Sequence, residues 1–173
     1  TTASYNVAIG SSALENNTGA NNTAVGHSAL TANTSGERNV AVGLSAAAAN
    51  TTGNYNIAIG DRALDANSTG SENVAIGASA LGANTTASSN VAIGNNALLV
   101  NTTGYQNTAI GSGSLDACTT GAFNIAVGGG TLSATTTANY NTAVGYAAGN
   151  ALTGSQQNTL VGYYTTVVCT TGA

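Results

Sequence analysis

The sequence has almost no charge and few aromatic rings. Charged residues make up 5% of the 173 residues and aromatic residues another 5%, and there is no Lys, Pro, Met or Trp. An ordinary globular domain carries about a quarter charged residues, so a conventional domain is a poor description of this chain. Disordered chains are poor in apolar residues and rich in net charge, whereas this chain is 42% apolar with a net charge of −4. The composition therefore indicates an ordered chain of unusual architecture.

The same scarcity of charge narrows the classes of partner. Arg38 and Arg62 are the only cations besides His27, and nucleic-acid binding needs a basic stripe, so we expect no nucleic-acid partner. No run of about 18 apolar residues occurs, so we also expect no membrane insertion. The sequence begins with Thr1 and shows no signal-peptide pattern at that point. We therefore expect a processed product or a segment of a longer chain.

Asparagine recurs through the whole chain, first after 16 residues and then every 17. Each of these residues opens a phrase such as Asn73-Val74-Ala75-Ile76-Gly77. With the Asn as position one, position three is Ala except at Leu160, position four is Ile or Val, and position five is always Gly. Position nine is Leu in seven repeats. The opening residues are Asn6, Asn22, Asn39, Asn56, Asn73, Asn90, Asn107, Asn124, Asn141 and Asn158.

A period this short and regular is typical of a solenoid. Positions two to four alternate Val, Ile or Thr with Ala and then meet Gly, which predicts a strand ending in a turn. The Ala-Leu segment at positions eight and nine predicts a second, weaker strand, and the Asn-Thr-Thr-Gly run predicts a second turn. The sequence thus predicts an all-β parallel β-solenoid of ten 17-residue coils with two short strands per coil, forming a single repeat domain over residues 1–173. Coils about 4.8 Å apart would make a rod about 48 Å long.

Stacked coils place identical side chains above one another. The opening asparagines are therefore expected to hydrogen-bond amide to amide along the rod. Positions two and four point to one side of the strand and position three to the other. We expect the Ile and Val side chains to face the solenoid's own core with the Leu of position nine. The small Ala at position three is then expected to face a neighbouring chain, which predicts self-association.

The phrases Asn-Thr-Ala-Val-Gly-Tyr (141–146) and Asn-Thr-Leu-Val-Gly-Tyr (158–163), with their Asn-Thr-Thr-Gly turns, resemble repeats of tailed-phage tail fibres and of large bacterial surface proteins. The Ala-Ile-Gly core also resembles the head of trimeric autotransporter adhesins, a left-handed parallel β-roll, although the coil is longer here. The resemblance implies a homotrimeric, extracellular fibre or adhesin-like segment on a virion or cell surface that mediates attachment. The resemblance also implies a cell-surface glycan or receptor as the partner.

The sequence offers no set of residues for catalysis, which needs titratable groups brought together. His27 at position six is expected to lie between Ser11 and Leu44 of the neighbouring coils. Asp61, Arg62 and Asp65 are close in sequence and form one local charged group. A paired-carboxylate glycosidase is the alternative interpretation of that group, but both acids come from one coil. Gly128-Gly129-Gly130 precedes no helix, so it is not a phosphate loop. We expect no enzyme activity, no metal and no cofactor.

Two sets of residues are candidate sites for a ligand-binding module, the alternative function. Tyr146, Tyr163 and Tyr164 are candidates for glycan contact. Threonines in the second turn raise the alternative of ice binding, but they are adjacent and so would point to different faces. Asn-x-Ser/Thr sequons recur at the second turn, where surface loops carry N-linked glycans. These candidate glycosylation sites are Asn16, Asn33, Asn50, Asn67, Asn84 and Asn101.

The two cysteines, Cys118 and Cys169, both occupy position twelve and lie three repeats apart. Three coils span about 14 Å at the strand spacing, whereas a disulfide needs Cα atoms within about 7 Å. The sequence therefore predicts no disulfide between them within one chain.

Overall fold

The computed structural model describes residues 4–166, which form one parallel β-solenoid of about nine turns. Its ten short strands lie in a single sheet, and their order in the sheet follows the chain. The predicted all-β parallel solenoid with about 17 residues per turn is confirmed. The strands are β1 Val7–Ile9, β2 Thr23–Val25, β3 Val40–Val42, β4 Ile57–Ile59, β5 Val74–Ile76, β6 Val91–Ile93, β7 Thr108–Ile110, β8 Ile125–Val127, β9 Thr142–Val144 and β10 Thr159–Val161.

Neighbouring strands pair in the register that the repeat predicts. In β5 and β6, Ala75 lies opposite Ala92, with the flanking aliphatic residues also matched by coil position. The Gly77 N–H donates to the Ile59 carbonyl at 2.8 Å, which continues the ladder past the end of the strand. Each coil position therefore forms a row along the rod, and coils are numbered here from 1 at Asn6 to 10 at Asn158.

The predicted second strand is wrong. The Ala-Leu segment is a turn in which φ is positive at positions seven and nine, 55° at Ser79 and 51° at Leu81. Ala80 and Leu81 are adjacent, yet both are fully buried. A β-strand turns successive side chains to opposite faces and so could bury only one of them. Alternating the sign of φ sends both side chains inward, while backbone bonds to the next coil persist, as from Leu81 N–H to the Ala97 carbonyl at 3.0 Å.

The predicted orientation of the strand is also wrong. In coils 2 to 9, Ala75 and its equivalents at position three are fully buried within the single chain, where they pack in one core with the leucines of position nine. Ala8 of the first coil is exposed. The Ile and Val side chains at positions two and four point outward. The rod is thin, so a Leu reaching across the interior leaves room only for a small residue opposite it. Alanine at position three is therefore a core residue and not an interface residue.

Glycine at position five is required by the stacking of the coils. Gly77 has a φ of +127°, and a Cβ on it would lie 2.6 Å from the carbonyl carbon and oxygen of Gly94 in the next coil. The same contact recurs up the rod, so a side chain cannot fit at this corner. The corner fixes where the strand ends and where the following turn begins.

The opening asparagines form the expected amide ladder, which is confirmed in detail. The Asn73 side chain is buried. Its Nδ2 donates to Asn56 Oδ1 at 3.2 Å and to the Ala87 carbonyl at 2.9 Å. Its backbone N–H also donates to Asn56 Oδ1 at 3.0 Å. The rungs tie each coil to the next, and those of coils 1 to 8 also close the second turn of their own coil.

Candidate functional site

The outer face of the sheet is mainly aliphatic, with Thr at position two in four coils. Ile57 and Ile59 are 37% and 38% exposed, while Ala58 between them is fully buried. The face consists of the side chains at positions two and four, and we call it the strand face. Its clearly exposed members are Val7, Ile9, Ile57, Ile59, Ile110, Ile125, Val144 and Val161.

Three tyrosines form a cluster on a different edge of the rod, at positions six and seven of coils 9 and 10. Tyr146 and Tyr163 are stacked, with ring centroids 5.7 Å apart and planes inclined by 18°. Tyr164 meets both rings edge-on, at 5.6 Å from Tyr146 and 4.8 Å from Tyr163. The three rings are 56%, 75% and 49% exposed for Tyr146, Tyr163 and Tyr164. The neighbouring phenol of Tyr146 raises the pKa of Tyr164. The candidate glycan-contact residues therefore lie together as one exposed aromatic surface.

Most of the predicted glycosylation sites do not lie at the surface as expected. Five of the six asparagines are fully buried at position twelve, where their amides form a second ladder parallel to the first. Asn67 Nδ2 donates to Asn50 Oδ1 at 2.9 Å and to the Gly70 carbonyl at 2.9 Å. An amide that is buried and hydrogen-bonded to the neighbouring coil is not available to carry a glycan in the folded chain. Asn16 alone of the six is exposed. The buried sites are Asn33, Asn50, Asn67, Asn84 and Asn101.

The second ladder stops where Cys118 takes position twelve. Asn101 Oδ1 is buried and has no hydrogen-bond partner. The Cys118 Sγ lies 3.6 Å from the Gly121 carbonyl. Burial raises the pKa of this thiol to about 11, so it is a poor nucleophile. Cys169 is outside the described residues, so the predicted absence of a disulfide stays a prediction.

Asp61, Arg62 and Asp65 form one local charged group in the structure. A shallow hollow of about 410 Å³ has Arg62 and Asp65 on one side and Leu99 on the other. The Asp61 carboxylate lies close enough to Asp65 to add to a rise in the pKa of that acid. Burial raises the pKa of Asp65, and the Arg62 guanidinium partly opposes that rise. Arg38 donates to the Tyr55 hydroxyl in the next coil and lies 5.2 Å from the ring centroid.

The remaining polar candidates are local contacts. His27 is exposed, and its Nδ1 lies 3.0 Å from the Ser28 hydroxyl. Over residues 4–166, no three His, Cys, Asp or Glu side chains lie close enough together to hold a metal ion. The same residues contain no helix with the length and apolarity that a bilayer crossing requires. Comparison with family models, with curated proteins and with solved structures found no match.

Proposed function

We propose that the chain is a structural segment of an extracellular fibre or adhesin, and that copies associate through the strand face. The observation that carries this proposal is the restriction of position four to two aliphatic residues. Position four is Ile or Val in all ten coils, although its side chain points away from the core. Position six also faces outward and holds Ser, His, Leu, Asp, Ala, Asn, Gly and Tyr in different coils.

Strand propensity alone does not account for this uniformity. Thr favours strands much as Val and Ile do, and Thr stands at position two in four coils, namely at Thr23, Thr108, Thr142 and Thr159. It never stands at position four. A polar outward residue of equal strand propensity is therefore missing from position four. An apolar partner surface in the assembled fibre supplies the reason.

The size of the strand face fits an interaction surface. Nine steps of about 4.8 Å and three residues of about 3.3 Å give a face of roughly 43 by 10 Å. An apolar patch of several hundred Å² on a soluble protein marks an interaction site. The resemblance to trimeric adhesin heads favours three copies around a common axis. A closed ring of this kind would hide the face along the whole rod.

Introducing positive charge on the strand face tests the proposal. Replacing Ile59 and Ile93 by Lys should leave the core intact, because both side chains point outward, and should release monomers. Replacing Thr52 by Lys is the matched control, because Thr52 is exposed on the second turn of the coil that ends before Ile59. Sedimentation equilibrium should give a mass near three times 16.6 kDa for the natural chain and the control. A natural chain that sediments as a monomer contradicts the proposal.

The second candidate function is glycan binding, which the exposed tyrosine cluster supports. Ice binding has less support, because the hydroxyls at position thirteen are already used between coils. Thr51 Oγ1, for example, donates to the Ser68 carbonyl at 2.9 Å, and Thr85 Oγ1 to the Thr102 carbonyl at 3.2 Å. The hydroxyls at position thirteen are therefore not a free array for ordering water.

A further inference from the structure

The row at position six contains a gap next to an aromatic ring. Tyr146 is stacked on Tyr163 on its C-terminal side. On its other side, coil 8 carries Gly129 at position six and Gly130 at position seven. A Cβ built on Gly129 would lie 3.5 and 3.6 Å from Cδ2 and Cε2 of Tyr146, and one on Gly130 would have no atom within 4 Å. One exposed ring of the cluster thus borders a space in which no side chain lies.

The gap has the thickness of one ring. Successive coils lie about 4.8 Å apart, and stacked rings prefer centroid separations of about 4.5–7 Å. A ring that takes the place of the missing side chain would therefore pack on Tyr146 much as Tyr163 does from the other side. The gap also opens toward coil 7, where Gly113 at position seven has only Asp116 Oδ2 near its Cβ direction, at 3.7 Å. A ligand longer than one ring can therefore leave the gap along the edge of the rod.

The side chains around the gap indicate what kind of ligand ring would bind there. Coils 7 to 10, residues 107–166, contain a single charged side chain, Asp116, so no cation there would pair with an anionic ligand. The cluster contributes three phenol hydroxyls, and Ser112 adds an exposed hydroxyl at position six of coil 7. A pyranose has an apolar C–H face that packs on an aromatic ring and a rim of hydroxyls that bond to hydroxyl groups.

We propose that the gap between Gly129 and Tyr146 binds one pyranose ring of a neutral polysaccharide. This inference rests on the second proposed function, glycan binding, and is independent of assembly through the strand face. Tyr146 is the stacking platform, and Gly129 and Gly130 provide the space. The sugar chain continues past Gly113 along the rod.

Filling the gap is the direct test. In Gly129→Leu the new side chain occupies the ring's place, and φ at Gly129 is not positive, so the backbone tolerates it. Ala78→Leu is the matched control, since Ala78 is position six of coil 5 and coil 3 already carries Leu44 there. Tyr146→Ala removes the platform, and Tyr146→Phe keeps the ring without its hydroxyl. Circular dichroism melting checks that each variant is folded.

The probes are maltohexaose, cellohexaose and chitohexaose, with a heparin hexasaccharide as the charged comparison. Binding is followed by ligand-observed saturation-transfer NMR and by tyrosine fluorescence, which is readable because the chain has no Trp. We expect at least one neutral probe to bind, a weakening of at least about tenfold in Gly129→Leu and Tyr146→Ala, and little change in Ala78→Leu and Tyr146→Phe. No binding of any neutral probe, binding of heparin alone, or equal binding by Gly129→Leu and the natural chain would each overturn the proposal. The strand-face variants keep the gap, so they should bind sugar even where assembly fails.

Discussion

Exchanging Asn and Cys at position twelve, in opposite directions in two coils, tests the energetic role of the second amide ladder. Asn67 is an interior rung. Asn67→Cys removes the bonds from its Nδ2 to Asn50 Oδ1 and to the Gly70 carbonyl, and the bond that Asn84 Nδ2 makes to its Oδ1, each 2.9 Å long. Cys118 shows that this position can hold a thiol without loss of the coil. The variant should therefore fold and report the lost hydrogen bonds.

The structure gives the expected size of each change. Three lost bonds at about 1 kcal/mol each, one of which leaves a buried acceptor unsatisfied, predict a destabilisation of about 3 kcal/mol for Asn67→Cys. In Cys118→Asn, the new amide can donate to the unpartnered Asn101 Oδ1 and to the Gly121 carbonyl. Its own oxygen finds no donor, because Thr135 Oγ1 already donates to the Leu152 carbonyl at 2.7 Å. Because Cys118 Sγ already donates to the Gly121 carbonyl, the exchange adds one hydrogen bond, to Asn101 Oδ1, and moves the unsatisfied acceptor to the new side chain. One added bond predicts a stabilisation of about 1 kcal/mol.

Thermal melting followed by circular dichroism, at one fixed protein concentration, measures both variants. For a chain of this length about 1 kcal/mol shifts Tm by about 2–4 °C. We expect Asn67→Cys to melt about 6–12 °C lower than the natural chain and Cys118→Asn about 2–4 °C higher. Urea midpoints with unchanged slopes should give the same order. Equal Tm values for Asn67→Cys and the natural chain, or a lower Tm for Cys118→Asn, would refute the reasoning about the ladder.

Three further predictions follow from burial and charge. Ala75→Glu buries a charge in the core and should prevent folding, whereas Ile76→Glu should fold and fail only to assemble; a folded Ala75→Glu chain by circular dichroism contradicts this orientation. In a Cys169→Ser background, Cys118 should react with a thiol reagent only after unfolding. Relative to Cys118→Ser, its stabilisation should be complete below pH 9.0, the ordinary thiol pKa, and be lost as pH rises toward about 11. Raising NaCl from about 0.05 to 0.5 M should move Tm by less than about 2 °C, because there are few charges to screen; a larger shift would reveal an electrostatic contribution that the structure does not explain.

The repeat made the solenoid, its period and its first amide ladder predictable. An element that returns at one position in every coil must stack on itself, so the register of β5 on β6 follows directly from Asn73 and Asn90. The second ladder was also visible in the sequence, since Asn stands at position twelve from Asn17 to Asn101. The turn-forming and sequon interpretations of those residues concealed it. The recurrence of Asn at position twelve in six successive coils was the signal that could have identified a buried row.

The alternation of residues alone did not predict which side of the strand faces the core. Positions two, three and four are all apolar or small, so either side of the strand satisfied the pattern. The deciding information lies in positions eight and nine, where Ala80 and Leu81 are both buried. Two adjacent inward residues need left-handed φ at Leu81, a conformation that propensity does not assign to leucine. The volume of that Leu then selects Ala75 and its equivalents as the inward residues of the strand.

Departures from the repeat near the C-terminal end compensate one another within the core. Coil 9 has Gly149 where a core Leu is usual, and coil 10 has Leu160 where Ala is usual. A Cβ on Gly149 would lie 2.8 Å from Leu132 Cδ2 and 3.6 Å from Leu160 Cδ2, so the two larger side chains occupy the space that the glycine leaves. Leu160 is only 4% exposed, and Leu152, at position twelve, is equally buried.

If the sequence of coil 9 had simply drifted from the repeat, Gly149 would leave a cavity in the core. The core at Gly149 is instead filled by neighbouring side chains. The same coils carry the tyrosine cluster and border the glycine gap on the surface. Local departures from a fold's own rules that are offset elsewhere tend to accompany functional sites. The refilled core therefore supports the view that coils 8 to 10 preserve the rod while presenting a surface that the other coils lack.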